Sequence, residues 1–239
     1  MADTEKQEKE KSKFRLWIEN YWYHYKWQTM FGVFFLIVAI ICIVQTFNVQ
    51  SYDAYVMYAG NYQMSRVEFL DMQKELEKVI EDGDGDGKIV VDMRDIMVLS
   101  AEEIQKRKDD GYEVMESLIA DNLNLFDQEI FSGEATICLL SPMLFERANG
   151  GGAFLPIAEF VGDTEVEYYN EFGVYLHSIP FGSLPGLRDL PKDTILCVRR
   201  ISTMASLFGK KEAERDHERN LSAVRTIFAY KNEAIAEGE

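Results

Sequence analysis

Trp27-Gln-Thr-Met30-Phe-Gly-Val-Phe-Phe-Leu-Ile-Val-Ala-Ile40-Ile-Cys-Ile-Val-Gln-Thr-Phe-Asn-Val-Gln50-Ser-Tyr52 is a run of 26 residues without a single charge. Lys26 closes it on one side and Asp53 on the other, and it is densest in apolar residues over Met30–Val44. A helix rises about 1.5 Å per residue, so the run reaches about 39 Å, whereas a hydrocarbon core of about 30 Å takes about 20 residues to cross. The run predicts a transmembrane helix over residues 28–48. A cleaved signal peptide has a shorter apolar core and small residues at the cut; Cys42-Ile43-Val44-Gln45-Thr46 has no small-x-small site. A lipoprotein would carry a small residue before Cys42, where Ile41 stands. The run therefore reads as an uncleaved anchor.

Its flanks set the orientation. Lys6, Lys9, Lys11, Lys13, Arg15 and Lys26 precede it, and the next cation after it is Arg66. Cations near a span stay inside, and acidic residues among them count for little. The N-terminus is expected in the cytoplasm and the rest of the chain outside the cell membrane. Residues 1–27 then form a cytoplasmic tail and interfacial segment. Residues 1–13, polar and rich in Lys and Glu, are expected to be disordered. Phe14–Trp27 holds all three tryptophans of the chain, with Tyr21, Tyr23 and Tyr25 among them. Amphipathic rings favour the headgroup layer, so this stretch reads as an aromatic belt, with His24 an interfacial polar group.

Beyond the span lie about 185 residues, enough for one domain with a real core. The first 27 residues hold six cations and five acids; of the chain's net charge of −16, the remainder therefore carries −17. Such an acidic domain argues against nucleic-acid binding and against lying flat on anionic lipid. The expected partners are the bilayer, through residues 28–48, and either a protein or a small extracellular ligand. Cys42 falls in the span, and Cys138 and Cys197 fall in apolar runs without metal or redox spacing. The last two read as buried thiols, and a bridge between them requires that their strands be neighbours.

Tyr52–Ala59 reads as a strand stopped by Gly60-Asn61. Ser65 caps a helix over Arg66–Glu81, with Glu68 completing a capping box. Val67, Leu70, Met72, Leu76, Val79 and Ile80 form its apolar stripe. Extended pieces follow at Ile89–Met93 and Ile96–Leu99. Ala101–Phe131 reads as helix broken near Asp109-Asp110-Gly111; Val114, Leu118, Ile119, Leu123, Leu125 and Phe126 lie on its buried side, and Ser132-Gly133 ends it. Ala135–Leu140 reads as a strand covered on both faces. Gly150–Gly152 is a loop, Gly173–Ile179 and Thr194–Ile201 are strands, and Lys210–Lys231 is a helix with Leu221, Val224, Ile227 and Phe228 inward. Alternating strands and helices predict one three-layer α/β domain over residues 52–239, with a mostly parallel sheet.

The sharpest local signal is Asp82-Gly83-Asp84-Gly85-Asp86-Gly87. Carboxylates at alternate positions converge on a hard cation, and glycine at the sixth position permits the tight turn. Lys88 would give its backbone carbonyl at the seventh position. The twelfth, where a standard loop has a bidentate Glu, is Met93, with Asp92 one residue early and Asp95 beyond. The exit is a strand, so the loop resembles helix–loop–strand relatives of the EF-hand. Asp82, Asp84, Asp86, Lys88 and Asp92 are the candidate ligands of a structural Ca²⁺; an acidic turn needing no ion is the alternative. The chain has no Gly-x-Ser-x-Gly elbow, phosphate loop or metallohydrolase motif. His177 sits in a predicted strand and His217 in a charged run, so no enzyme is expected; an extracytoplasmic hydrolase working through a pair of the many carboxylates is the alternative.

"FSGEATICLLSP" (Phe131–Pro142) and "FLPIAEF" (Phe154–Phe160), with the acidic loop and the belt, resemble a group of single-pass membrane proteins of Gram-positive bacteria. The segment Tyr52–Phe160 also resembles the first lobe of extracellular solute-binding proteins. That resemblance implies a binding role and brings no active-site residues with it. About 80 residues remain after Phe160, enough to finish one sheet and too few for a second lobe. Capture by cleft closure is therefore not expected.

Overall fold

Residues 2–47, 52–132, 134–202 and 210–231 are described in a computed structural model. The chain divides into two units, Met1–Gln50 and Ser51–Glu239. The first is one helix, α1 (Ala2–Phe47). The expectation of disorder over residues 1–13 is corrected: the helix runs from Ala2. Lysine and glutamate are strong helix formers, and no Gly or Pro interrupts the chain before Gly32. On α1, Trp17 stacks on Tyr21 and Tyr21 on Tyr25, with ring centroids 5.8 and 5.3 Å apart. The i, i+4 spacing brings such rings together on one face. Tyr21 Oη also lies 3.0 Å from Thr29 Oγ1. Arg15–Val44 is long and apolar enough to cross a membrane, and its most apolar stretch is wholly unburied. Asn48, at the end of the expected span, lies outside the described residues.

In the second unit the elements are β1 (Ala54–Gly60), α2 (Arg66–Val79), β2 (Val91–Met97), α3 (Ala101–Asp109), α4 (Glu116–Ser132), β3 (Ile137–Leu140), α5 (Pro142–Asn149), α6 (Ala158–Val161), β4 (Tyr168–Asn170), β5 (Gly173–Tyr175), β6 (Ile195–Val198) and α7 (Lys210–Ala229). Two 3₁₀ turns, Leu176–Ser178 and Pro180–Ser183, lie between β5 and β6. The sheet order is β2-β1-β3-β6-β5-β4. β1 pairs in parallel with β2 and β3, whereas β3–β6, β6–β5 and β5–β4 are antiparallel. The sheet is therefore mixed, and the parallel expectation holds for β2-β1-β3. The last three strands are joined to one another without a helical crossover between β4 and β5 or between β5 and β6, so they return antiparallel.

Alternation along each strand builds two apolar layers. Val56, Tyr58, Ile137, Leu139, Leu196 and Val198 meet Met72 and Leu76 of α2 and Leu221, Val224, Ile227 and Phe228 of α7. Met57, Ala59, Cys138, Leu140, Ile195 and Cys197 meet Ile119 and Phe126 of α4 and Leu144 and Phe145 of α5. Both sides of β1, β3 and β6 are covered, which is why these strands read as nearly continuous apolar runs. Three layers result.

The helix starts follow their local chemistry. Ser65 Oγ accepts Glu68 N–H and Glu68 Oε2 accepts Ser65 N–H, the expected capping box. A second box, Ser100 with Glu103, opens α3. The break between α3 and α4 falls at Gly111, as expected. Other expectations are corrected. Val67, Leu70, Leu118 and Leu125 are exposed, because the strips that face the sheet are narrower than the apolar stripes. Ile89–Met93 and Ile96–Leu99 merge into one strand, β2, which pairs along β1 as far as Gly60. The strand expected over Gly173–Ile179 ends at Tyr175 and continues as a 3₁₀ turn. Helix α5 and strand β4 were not foreseen. Gly133 lies outside the described residues.

β2 is an edge strand. Its Val91 and Met97 carbonyls accept from Gln73 Nε2 of α2 and Asn122 Nδ2 of α4, each at 2.8 Å. With Asp92, Arg94 and Asp95 along it, the edge is guarded against pairing with another chain.

Candidate metal site

The acidic loop joins α2 to β2. Asp82 accepts two N–H groups, Gly85 on Oδ1 at 2.7 Å and Gly87 on Oδ2 at 2.9 Å. Asp84 Oδ1 accepts Asp86 N–H at 2.9 Å, and Asp86 Oδ1 accepts Lys88 N–H at 2.7 Å. Gly85 and Gly87 have φ of 76° and 81°, a left-handed conformation that glycine adopts without strain. Each aspartate thus turns the chain by one short step. The N–H groups of Gly87 and Gly85 hold the Asp82 carboxyl below its ordinary range.

Asp53, one residue before β1, holds the loop at both ends. Its Oδ1 accepts Gly83 N–H and its Oδ2 accepts Val90 N–H, each at 2.8 Å, and it is only 2% exposed. Asp53, Asp82 and Asp84 each offer a carboxylate oxygen, and these oxygens lie within 4.8 Å of one another. Carboxylate oxygens alone are the donor set of a hard cation such as Ca²⁺. The loop also faces Arg219 of α7, whose Nη1 stands 3.7 Å from Asp84 Oδ2 and whose other amine pairs with Asp216. A Cβ on Gly83 would meet Arg219 Cγ at 2.5 Å, so a glycine there lets the arginine lie against the loop. Next to it, Asn220 ties α7 to β1 by accepting Tyr55 N–H at 2.7 Å. Arg219, paired with Asp84 and Asp216, is one positive charge beside the carboxylates of Asp53, Asp82, Asp84 and Asp216, so the group stays net negative and a divalent cation fits its charge.

Of the residues singled out in the sequence, Asp82 and Asp84 come together. Asp86 stays on its own turn, and Lys88 enters through its N–H. Asp92 stands on β2, its Oδ2 3.6 Å from Arg94 Nε. Among the described residues the third carboxylate is Asp53, which sequence reasoning missed. Its signal was weak: an aspartate just before an apolar strand, 30 residues from Gly83 in the chain.

The group sits at the N-terminal ends of β1 and β2. In open α/β sheets ligands collect at the opposite, C-terminal ends of the strands. There the polar groups start helices. Tyr62 donates to Glu68 at 2.6 Å, and that hydrogen bond pushes the phenol up to about 12. Asn61 bonds Glu103, and Arg107 donates to Asn61 O at 3.0 Å. His177 Nδ1 lies 2.7 Å from Lys192 O. His217, on α7, is held below its ordinary range by burial and by Arg199. The arrangement at the N-terminal ends is thus suited to holding an ion and fixing a loop. Comparison with protein-family models, with curated proteins and with solved structures finds no match for the chain.

Proposed function

We propose that this chain is a single-pass protein of the cell membrane whose α/β domain lies outside the cell and binds a protein partner, as a receptor or as an accessory subunit of a membrane complex. The observation that carries the reading is α1. From Arg15 to Val44 its side chains are almost all exposed, Phe35 at 66% and Leu36 at 61% among them. Each such side chain gains roughly 1.5–3 kcal/mol on leaving water, and a bilayer accepts the whole run at once. The six cations before the span and the cation-free stretch after it support a cytoplasmic N-terminus.

A protein partner is favoured by Tyr112, Met115, Leu118 and Leu125, exposed along α4 and the turn before it. Large apolar side chains concentrated on one element mark contact surfaces. A small extracellular ligand is the second reading. A groove of about 450 Å³ between α6 and the end of α7, lined by Phe160, Thr164, Arg225, Phe228 and Tyr230, favours it. The likeness to one lobe of solute-binding proteins points the same way. No reaction is proposed, because the sequence offers no nucleophile with its base. The acidic loop is proposed to hold a structural Ca²⁺ through Asp53, Asp82 and Asp84, with Asp53 in place of the missing twelfth ligand.

Protease added to intact spheroplasts should digest the chain beyond residue 53 and spare an N-terminal tag; a protected C-terminal domain contradicts the orientation. Met115→Glu with Leu118→Glu should lower the yield of the partner co-purified from solubilised membranes at least tenfold, about 1.4 kcal/mol. An unchanged yield with an unchanged melting temperature would remove α4 from the interface.

For the loop, Ca²⁺ at ten times its Kd adds about 1.4 kcal/mol to folding. The domain should therefore melt a few degrees higher in millimolar Ca²⁺ than in chelator, as expected for a domain of this size. Asp84→Asn should abolish that response and Asp92→Asn should keep it. Loss with Asp92→Asn would return the ligand to β2, and a wild-type curve insensitive to Ca²⁺ would leave the loop an acidic turn.

A further inference from the structure

We infer that Cys138 and Cys197 form a disulfide across β3 and β6 in the folded domain, a covalent tie through the middle of the sheet. The two residues are direct partners in the antiparallel register, Cys138 opposite Cys197. Two residues along, Arg199 N–H donates to Thr136 O at 2.8 Å, so Thr136 and Arg199 are a hydrogen-bonded pair, and the Ile137–Val198 pair lies between. Antiparallel pairs alternate, which makes Cys138 and Cys197 a hydrogen-bonded pair as well, with Cα atoms about 5.5 Å apart. Disulfides bridge Cα atoms about 4.4–6.8 Å apart. Both side chains face the layer covered by α4 and α5, and both residues are fully buried and stand as free thiols in the structure. Cys197 Sγ also lies 3.6 Å from Cys138 O, which places the sulfur beside its partner's backbone.

Burial decides when the bond forms. Loss of solvent, reinforced by the neighbouring Cys138 thiol, pushes the Cys197 thiol well above the ordinary cysteine range, so the folded pair holds little thiolate. Exchange therefore takes place during folding, before α4 and α5 close over the strands. One cysteine thiolate attacks a sulfur of an oxidant of the disulfide class, forming a mixed disulfide and releasing one thiolate. The second cysteine thiolate attacks the cysteine sulfur of that mixed disulfide, forms the Sγ–Sγ bond and releases the other thiolate. Two electrons pass to the oxidant, which leaves as thiol, and the two cysteine protons end on its sulfurs.

Formation in the cell rests on the extracytoplasmic placement proposed above, because disulfides persist outside the reducing cytoplasm. Geometry and compartment are tested separately. The full chain, purified in detergent, is unfolded, reduced and refolded with oxidised and reduced glutathione. It is then acid-quenched, denatured and tagged with a maleimide polymer. One tag, on Cys42, is expected before dithiothreitol and three after it, because the chain has three cysteines. Three tags before reduction, or a bridge that contains Cys42, would overturn the pairing.

The refolded chain should also lose roughly 10 °C of melting temperature on reduction, whereas Cys138→Ala with Cys197→Ala should melt alike with and without reductant. If that double variant does not fold, Cys197→Ser alone must show two tags under every condition; a bridge in it would contradict the assignment. The same count on intact cells quenched in acid should again give one tag. Three tags there, with one after refolding in vitro, would support the pairing and sink the extracytoplasmic placement.

Discussion

The carboxylate of Asp53 is the fixed point of the domain. It stands at the start of β1, the strand that pairs on both sides and carries both apolar layers. Its two oxygens accept from Gly83 and Val90, so the loop that leaves α2 must return beside β1 and enter β2 in parallel register. A buried carboxylate held by two N–H groups is well satisfied; without it, both donors would be left unpaired beside the core. Arg219 and Asn220 bring α7 to the same corner. The loop, the first strand and the helix Lys210–Ala229 thus meet at one corner of the domain.

How much of this is legible in the sequence follows from the range of each interaction. Ser65 and Glu68 lie three residues apart, so the start of α2 shows in the letters, and Gly111 likewise marks the break between α3 and α4. The two-sided strands show as apolar runs, Ile137–Leu140 above all. What stays hidden is set by distant contacts. Val67, Leu70, Leu118 and Leu125 fit an apolar stripe but miss the sheet, because periodicity gives the face of a helix and not the width of its contact. The antiparallel half escapes because strand direction depends on how the chain returns after Asn170. In the candidate site, alternation points to Asp82 and Asp84, while Asp53 belongs to a different element and carries no spacing cue. The opposition of Cys138 and Cys197 is a matter of register, which no local pattern states.

The two units obey different solvents. In the domain, polar side chains on the surface and apolar ones between layers are consistent with water. Over Arg15–Val44 of α1 the order is reversed, with bulky apolar groups outward. That stretch is compatible with a single-pass membrane anchor. Trp17, Tyr21 and Tyr25 stack on one another at the start of this apolar stretch.

That claim has a direct optical test, because Trp17, Trp22 and Trp27 are the only tryptophans in the chain and all lie on α1. Reconstituted into vesicles whose lipids carry bromine at defined depths, the protein should show quenching strongest from bromines near the headgroup and weaker from those at the bilayer centre. Fluorescence untouched by bromine at any depth, with an emission maximum like that of water-exposed indole, would contradict a membrane anchor.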